Sequence, residues 1–179
     1  MKTLTIGFSK SSKKFGIFSW IIMWAQGTAY SHAYLKYPCA WKPETQIYFQ
    51  ASHTSVNFMS GKRFLAEETV IQEFCFTVDD AKFAKMQDFC LDKSAEPYGL
   101  MTIFGFAYKI IANRLGLKVR NPVRNAKQTP VCSQLIAELL ADLDVPLDMD
   151  IDDITPKDLF PIVSSLPSDL TGSQAPPQN

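Results

Sequence analysis

The 179-residue chain has no excess charge of either sign: 18 Lys and Arg residues face 18 Asp and Glu. A general nucleic-acid binder draws its affinity from surplus Lys and Arg, so the balance argues against that class. Histidine is scarce, with only His32 and His53, and the four cysteines (Cys39, Cys75, Cys90, Cys132) include no pair at CxxC spacing. The sequence therefore gives no reason to expect a structural zinc site, and no cofactor is expected. Four cysteines in this length are also too few for a disulfide framework, and the spacing fits a reduced, cytoplasmic-type protein. Nor does any apolar run reach the ~18–20 residues of a spanning helix. Met101–Leu117 comes nearest, but Lys109 and Arg114 interrupt it, and it reads as a buried helix.

What is present is enough for a core: 46% of residues are hydrophobic and 12% aromatic. The length fits one domain over residues 1–163, followed by a polar, proline-containing tail or extended arm over 164–179. Residues 1–27 allow two readings. Lysines precede Phe15–Ala25, a stretch of signal-peptide length, and Ala25-Gln26-Gly27 resembles a cleavage site. The other reading is a strand over Lys2–Phe8 and an amphipathic helix over Lys13–Gln26, capped by Ser11 or Ser12 and closed by Gly27.

Further strands are expected over Ser31–Tyr37 and Gln46–Ser52, joined by a hairpin connection over Pro38–Thr45, then Val56–Met59 and Val70–Phe76. A helix starts at Thr77 or Asp79 and runs to Asp92, because Phe83, Met86 and Cys90 recur at helical spacing. Pro97-Tyr98-Gly99 breaks the chain, and a second helix runs to about Leu115. A basic loop over Leu117–Pro130 leads to a clear helix ending near Leu143. Thr155-Pro156-Lys157-Asp158 caps one more short helix. Strands with helices on both sides of them in the chain make an α+β pattern, an antiparallel sheet packed with helices.

The chemistry concentrates at Thr129-Pro130-Val131-Cys132. Thr129 suits an N-cap and Pro130 the position after it, so Cys132 falls in the first helical turn. The free amides and dipole there lower a thiol's pKa. Leu135, Ile136 and Leu139 share the stripe of Cys132, which turns the sulfur toward the body of the protein. The plainer alternative is a small buried cysteine at the head of an apolar stripe.

A nucleophilic thiol needs a base. His32 opens a strand and shares a face with Tyr34 and Lys36, while Gln46, Tyr48, Gln50 and Ser52 share a face of the next strand. An antiparallel hairpin brings His32 close to Gln50 on the same face. His53 has the opposite parity and reads as a surface or loop residue. Cysteine, imidazole and a polar side chain that fixes the ring form the set used in nucleophilic attack on acyl groups.

With these residues in hand, the chain resembles the circularly permuted papain-like hydrolases of the NlpC/P60 superfamily, in particular the YiiX/YaeF-like branch. The likeness rests on Tyr30-Ser31-His32-Ala33, on Ile47-Tyr48-Phe49-Gln50-Ala51, on Pro97-Tyr98-Gly99, on Val131-Cys132-Ser133-Gln134-Leu135 and on Thr155-Pro156-Lys157-Asp158-Leu159. It spans about Ile6 to Phe160. Two positions depart from the family pattern: Gln50 stands where an acidic residue is usual, and Gln134 where Glu is common. The family has a strand and helix before its His strand, which favours keeping residues 1–27 as fold.

The resemblance implies a papain-like fold and a cysteine hydrolase cleaving an amide, in a peptidoglycan peptide or another small substrate. Cys132 is then the nucleophile, His32 the base and Gln50 the residue that holds the ring. The backbone amide of Cys132 can serve the oxyanion, and Tyr98, Tyr30 and Ser133 border the substrate. Two alternatives come with it. One is a weak or inactive fold used as an interaction protein, for example a phage virion component with a protein partner at the C-terminal tail. The other is an acyl hydrolase or acyltransferase acting on lipids.

Overall fold

The computed structural model describes residues 1–12, 17–52, 55–96 and 132–171. The expected helix to Leu115, the basic loop 117–130, the Thr129-Pro130 cap, Tyr98 and His53 lie outside these residues. The fold is α+β. Strands β1 (Lys2–Ser11), β2 (His32–Cys39), β3 (Lys42–Ser52), β4 (Ser55–Ser60) and β5 (Glu68–Val78) form one antiparallel sheet in the order β4-β3-β2-β1-β5. The helices are α1 (Ile17–Gln26), α2 (Gly61–Glu67), α3 (Asp80–Lys93), α4 (Cys132–Asp142) and α5 (Pro156–Ser165), with a 3-10 turn at Ile151–Asp153.

Residues 2–11, the strand that adjoins the leader-like stretch, pair with β2 on one side and β5 on the other. Such a strand must be apolar on the face that meets helices, and Leu4, Ile6 and Phe8 are fully buried there. Ala33 and Leu35 of β2, Phe49 and Ala51 of β3 and Phe76 and Val78 of β5 extend the same core. Leu135, Ile136, Leu139 and Leu140 of α4 close it, with Met86 of α3 and Leu159 and Val163 of α5.

Several elements run further than their composition promises. The β2–β3 turn is only Ala40-Trp41, since Pro38 still pairs with Gln46 and Cys39 with Lys42, with a register shift between Pro38 and Cys39. Proline is tolerated there because the ladder is already irregular at the strand end. Helix α1 stops where expected: Gly27 has φ +68°, and the amides of Gly27 and Thr28 both donate to the Met23 carbonyl. Asp79 caps α3 by accepting from Lys82 N–H at 2.7 Å. The capping box of α5 forms between Thr155 and Asp158. Through residue 171 the stretch beyond α5 lies along β5 as an arm. Ser168 accepts from Thr77 N–H and Leu170 donates to Thr77 C=O, so Leu170 is buried against the edge of β5.

Helix α2 has no counterpart among the sequence expectations. Phe64 is its only buried residue, so its sequence has no apolar period to read. It covers the face of the sheet opposite α4, where Phe64 meets Tyr34 and Tyr48 at ring distances of 4.5 and 4.2 Å. On that face the Tyr34 ring lies across Gly7: a Cβ at Gly7 would stand 2.2 Å from Tyr34 Cζ. Tyr34 cannot swing clear, because it is fully buried and donates to Glu73 at 2.7 Å. Gly7→Ala should therefore destabilise the protein by about 1–3 kcal/mol, the cost of overpacking a filled core. Urea denaturation checks this, and a smaller loss when Tyr34→Ala is added would show that the ring is the obstacle.

Candidate active site

The backbone brings the early imidazole to the late thiol at the end of the sheet. His32 is the first residue of β2, with Ser9 of β1 as its Cα partner, and Ser31 N–H donates to Ser9 C=O at 3.0 Å. The neighbouring Ser31 hydroxyl meets Ser19 of α1 at 2.6 Å. Cys132 is 6% exposed, and its apolar stripe packs α4 along β2 and β3.

His32 meets Gln50 Oε1 with Nε2 at 2.7 Å, and its ring is the hydrogen-bonding partner of the Cys132 sulfur. The Gln50 contact fixes the tautomer. Its carbonyl oxygen only accepts, so Nε2 carries a proton and Nδ1 is the nitrogen left to exchange one with the sulfur. The register Leu35↔Phe49, carried one residue further, sets Gln50 level with Tyr34 and diagonal to His32, still on its face. Gln50 is 2% exposed, and its amide nitrogen rests against Met59 Sδ at 3.7 Å. The ring's anchor is thus itself held.

The electrostatics follow from this packing. Burial opposes charge on His32. The charge of the Cys132 sulfur and its hydrogen bond, then the Glu68 carboxylate and the Gln50 contact, outweigh that and push the ring up to about 9. Burial likewise works against a thiolate at Cys132. The His32 charge and hydrogen bond, with the amides of Ala33 and Ser133 donating to sulfur, overcome it and lower the thiol. Each partner favours the other's charged form, so the pair tends toward thiolate and imidazolium. Cys90 is the internal contrast: also buried, but without such partners, it is pushed up by burial alone.

The remaining residues assigned to the site are placed differently. The Tyr30 ring stacks on Phe160 at 5.1 Å and meets Phe8 at 5.1 Å, on the side of the core. Its hydroxyl is raised by burial and by the Asp158 charge. Ser133 is fully buried, and its hydroxyl donates to the Ile154 carbonyl at 2.7 Å, which leaves only its backbone amide for the sulfur. The side chain is thus a strut between α4 and the residues after the 3-10 turn. Gln134 is a second strut, with its Nε2 donating to Asp152 C=O at 2.5 Å. Two consecutive side chains after Cys132 thereby fix the start of α4.

Among the described residues, no cluster of three His, Cys, Asp or Glu side chains is arranged to hold a metal ion. No described helix is long and apolar enough to cross a membrane. Scanned against models of known protein families, the chain matches none, and a search of curated proteins gives no significant match.

Proposed function

We propose that the chain is a cysteine hydrolase of the permuted papain-like kind, cleaving an amide in a peptidoglycan peptide or another small acyl compound. The single observation that supports it is the contact of the Cys132 thiol with a His32 ring whose far nitrogen is held by Gln50. In this reading the thiolate adds to the amide carbonyl carbon, and the electron pair of the carbonyl moves to oxygen. Amides at the α4 N-terminus stabilise that oxyanion. The C–N bond then breaks as imidazolium Nδ1–H protonates the leaving amine, giving a thioester on Cys132 and a neutral ring. A water attacks the thioester, the ring takes its proton, and the acid leaves as thiolate and imidazolium re-form. Gln50 holds the ring in line through both halves without adding charge of its own.

A second reading has one observation in its favour. Ile17, Trp20 and Trp24 on α1 are exposed, and the two indoles stack at 6.3 Å, on the helix whose Ser19 touches Ser31 beside His32. Exposed tryptophans on a short apolar helix suit a lipid interface. The same thiol would then act on a fatty acyl ester or amide. Incubation with muropeptides and, separately, with dispersed diacyl phospholipid distinguishes the two. The amide reading expects release of a new amine from muropeptide and no free fatty acid. Fatty acid alone would overturn it in favour of lipid, and neither product would leave the fold as an interaction protein.

A further inference from the structure

The neutral Gln50 leaves the imidazolium without a countercharge at its far nitrogen, and β5 brings one from another direction. The pairing of β1 with β5 slips by one residue between Phe8 and Ser9: Phe8 faces Gln72 but Ser9 faces Val70, so Ile71 is extra. Residues directly opposite in an antiparallel ladder share a face, and a slip of one position inverts every side chain beyond it. Without the bulge Glu68 would fall level with Ser12, on the reverse face of the sheet. With it, Glu68 is level with Ser11 and shares the face of Ser9 and His32.

Ser9 joins the two. It is fully buried, lies between the strands as Cα partner of both His32 and Val70, and donates its hydroxyl to Glu68 Oε2 at 2.9 Å. The backbone of Glu68 is fixed as well, because α2 passes into β5 at this residue and Glu68 N–H still donates to the Phe64 carbonyl.

The geometry points to Glu68 as a positioning residue of the dyad: held by Ser9 and turned inward by the bulge at Ile71, its carboxylate is the countercharge for the His32 imidazolium. The inference rests on the cysteine-hydrolase reading of the same site. Its effect on His32 is attractive, in the direction that favours the protonated ring. The other groups acting on the ring are Cys132 from α4 and neutral Gln50 from β3. Glu73, further along β5, is bound to Tyr34 and Lys36. The carboxylate touches neither substrate nor sulfur in this role. It sets the charge state in which the sulfur and the ring start.

The test is the His32 titration followed by NMR of the ring protons, with the pH profile of amide hydrolysis alongside. Glu68→Gln keeps the shape and the Ser9 hydrogen bond but removes the charge. The His32 midpoint and the alkaline limb of the rate should both fall by about one pH unit. Ser9→Ala, which frees the carboxylate, should move both the same way by less. A midpoint in Glu68→Gln equal to wild type, in a protein of unchanged circular dichroism, would overturn the assignment. If Glu68→Gln does not fold, an unchanged midpoint in Ser9→Ala overturns it. A wild-type midpoint near that of a free histidine is a different result: it removes the dyad itself, and Glu68 with it.

Discussion

Cys132→Ala should reduce amide hydrolysis by at least about 10⁴-fold in kcat, because in the proposed reaction its sulfur forms the acyl intermediate. The sulfur sits at the start of α4, with the Ala33 and Ser133 amides and His32 directed at it. No conservative change supplies the same nucleophile. Cys132→Ser keeps the shape but presents a hydroxyl that His32 can deprotonate only poorly, so its loss should be nearly as large. Cys90→Ala is the control. Cys90 is buried in the same core, yet burial alone acts on its thiol and keeps it protonated. Its removal should leave the rate unchanged and cost on the order of 1 kcal/mol of stability. Steady-state rates and thermal melts of the three variants separate chemistry from packing. Hydrolysis surviving in Cys132→Ala would mean that the nucleophile is elsewhere.

His32→Ala should cost about 10³–10⁴-fold in kcat, since the same ring generates the thiolate and protonates the leaving amine. It should also change the pH profile. In the wild type the charged pair exists between the lowered pKa of Cys132 and the raised one of His32, about 9. Below that window the sulfur is protonated and cannot attack. Above it the ring has no proton to give, so the rate should pass over a plateau and fall as pH rises through about 9. His32→Ala removes the upper limb and moves the lower one up toward the range of an ordinary thiol. The same shift has a sign in stability. A ring whose folded pKa is raised contributes most below the pKa of the unfolded histidine, and loses that contribution as pH rises through about 9. The lowered thiol of Cys132 contributes with the opposite sign as its unfolded counterpart ionises, so the two offset, and the wild-type melting temperature should change little on the alkaline side.

Much of this site was readable because two simple periods govern it. The helical stripe of Leu135, Ile136 and Leu139 fixed which way Cys132 points, and strand parity fixed that His32 and Gln50 share a face. The α+β arrangement followed from the same periods, and cap residues gave the end of α1 at Gly27. Of the two starts left open for α3, Thr77 and Asp79, the structure takes Asp79. Glu68 was not readable, because its side depends on one bulged residue, Ile71, and parity counted along β5 alone says nothing about an irregular ladder. Helix α2 escaped for want of a second buried residue beside Phe64. Ser133 was read as a neighbour of the substrate, and Gln134 only as a departure from the family pattern. Their partners, the carbonyls of Ile154 and Asp152, are about twenty residues away in the chain, and no local pattern announces them.

Whether Cys132 and His32 form a charged pair can be read from the pH dependence of Cys132 alkylation with iodoacetamide. Cys75 is exposed, so the experiment uses Cys75→Ser protein and follows Cys132 by mass spectrometry. Labelling should rise at a lower pH than that of an ordinary thiol, and the rise should shift to alkaline pH in His32→Ala. Labelling that rises only through the range of a free thiol, about pH 8.5, and is the same with or without His32, would contradict that pair.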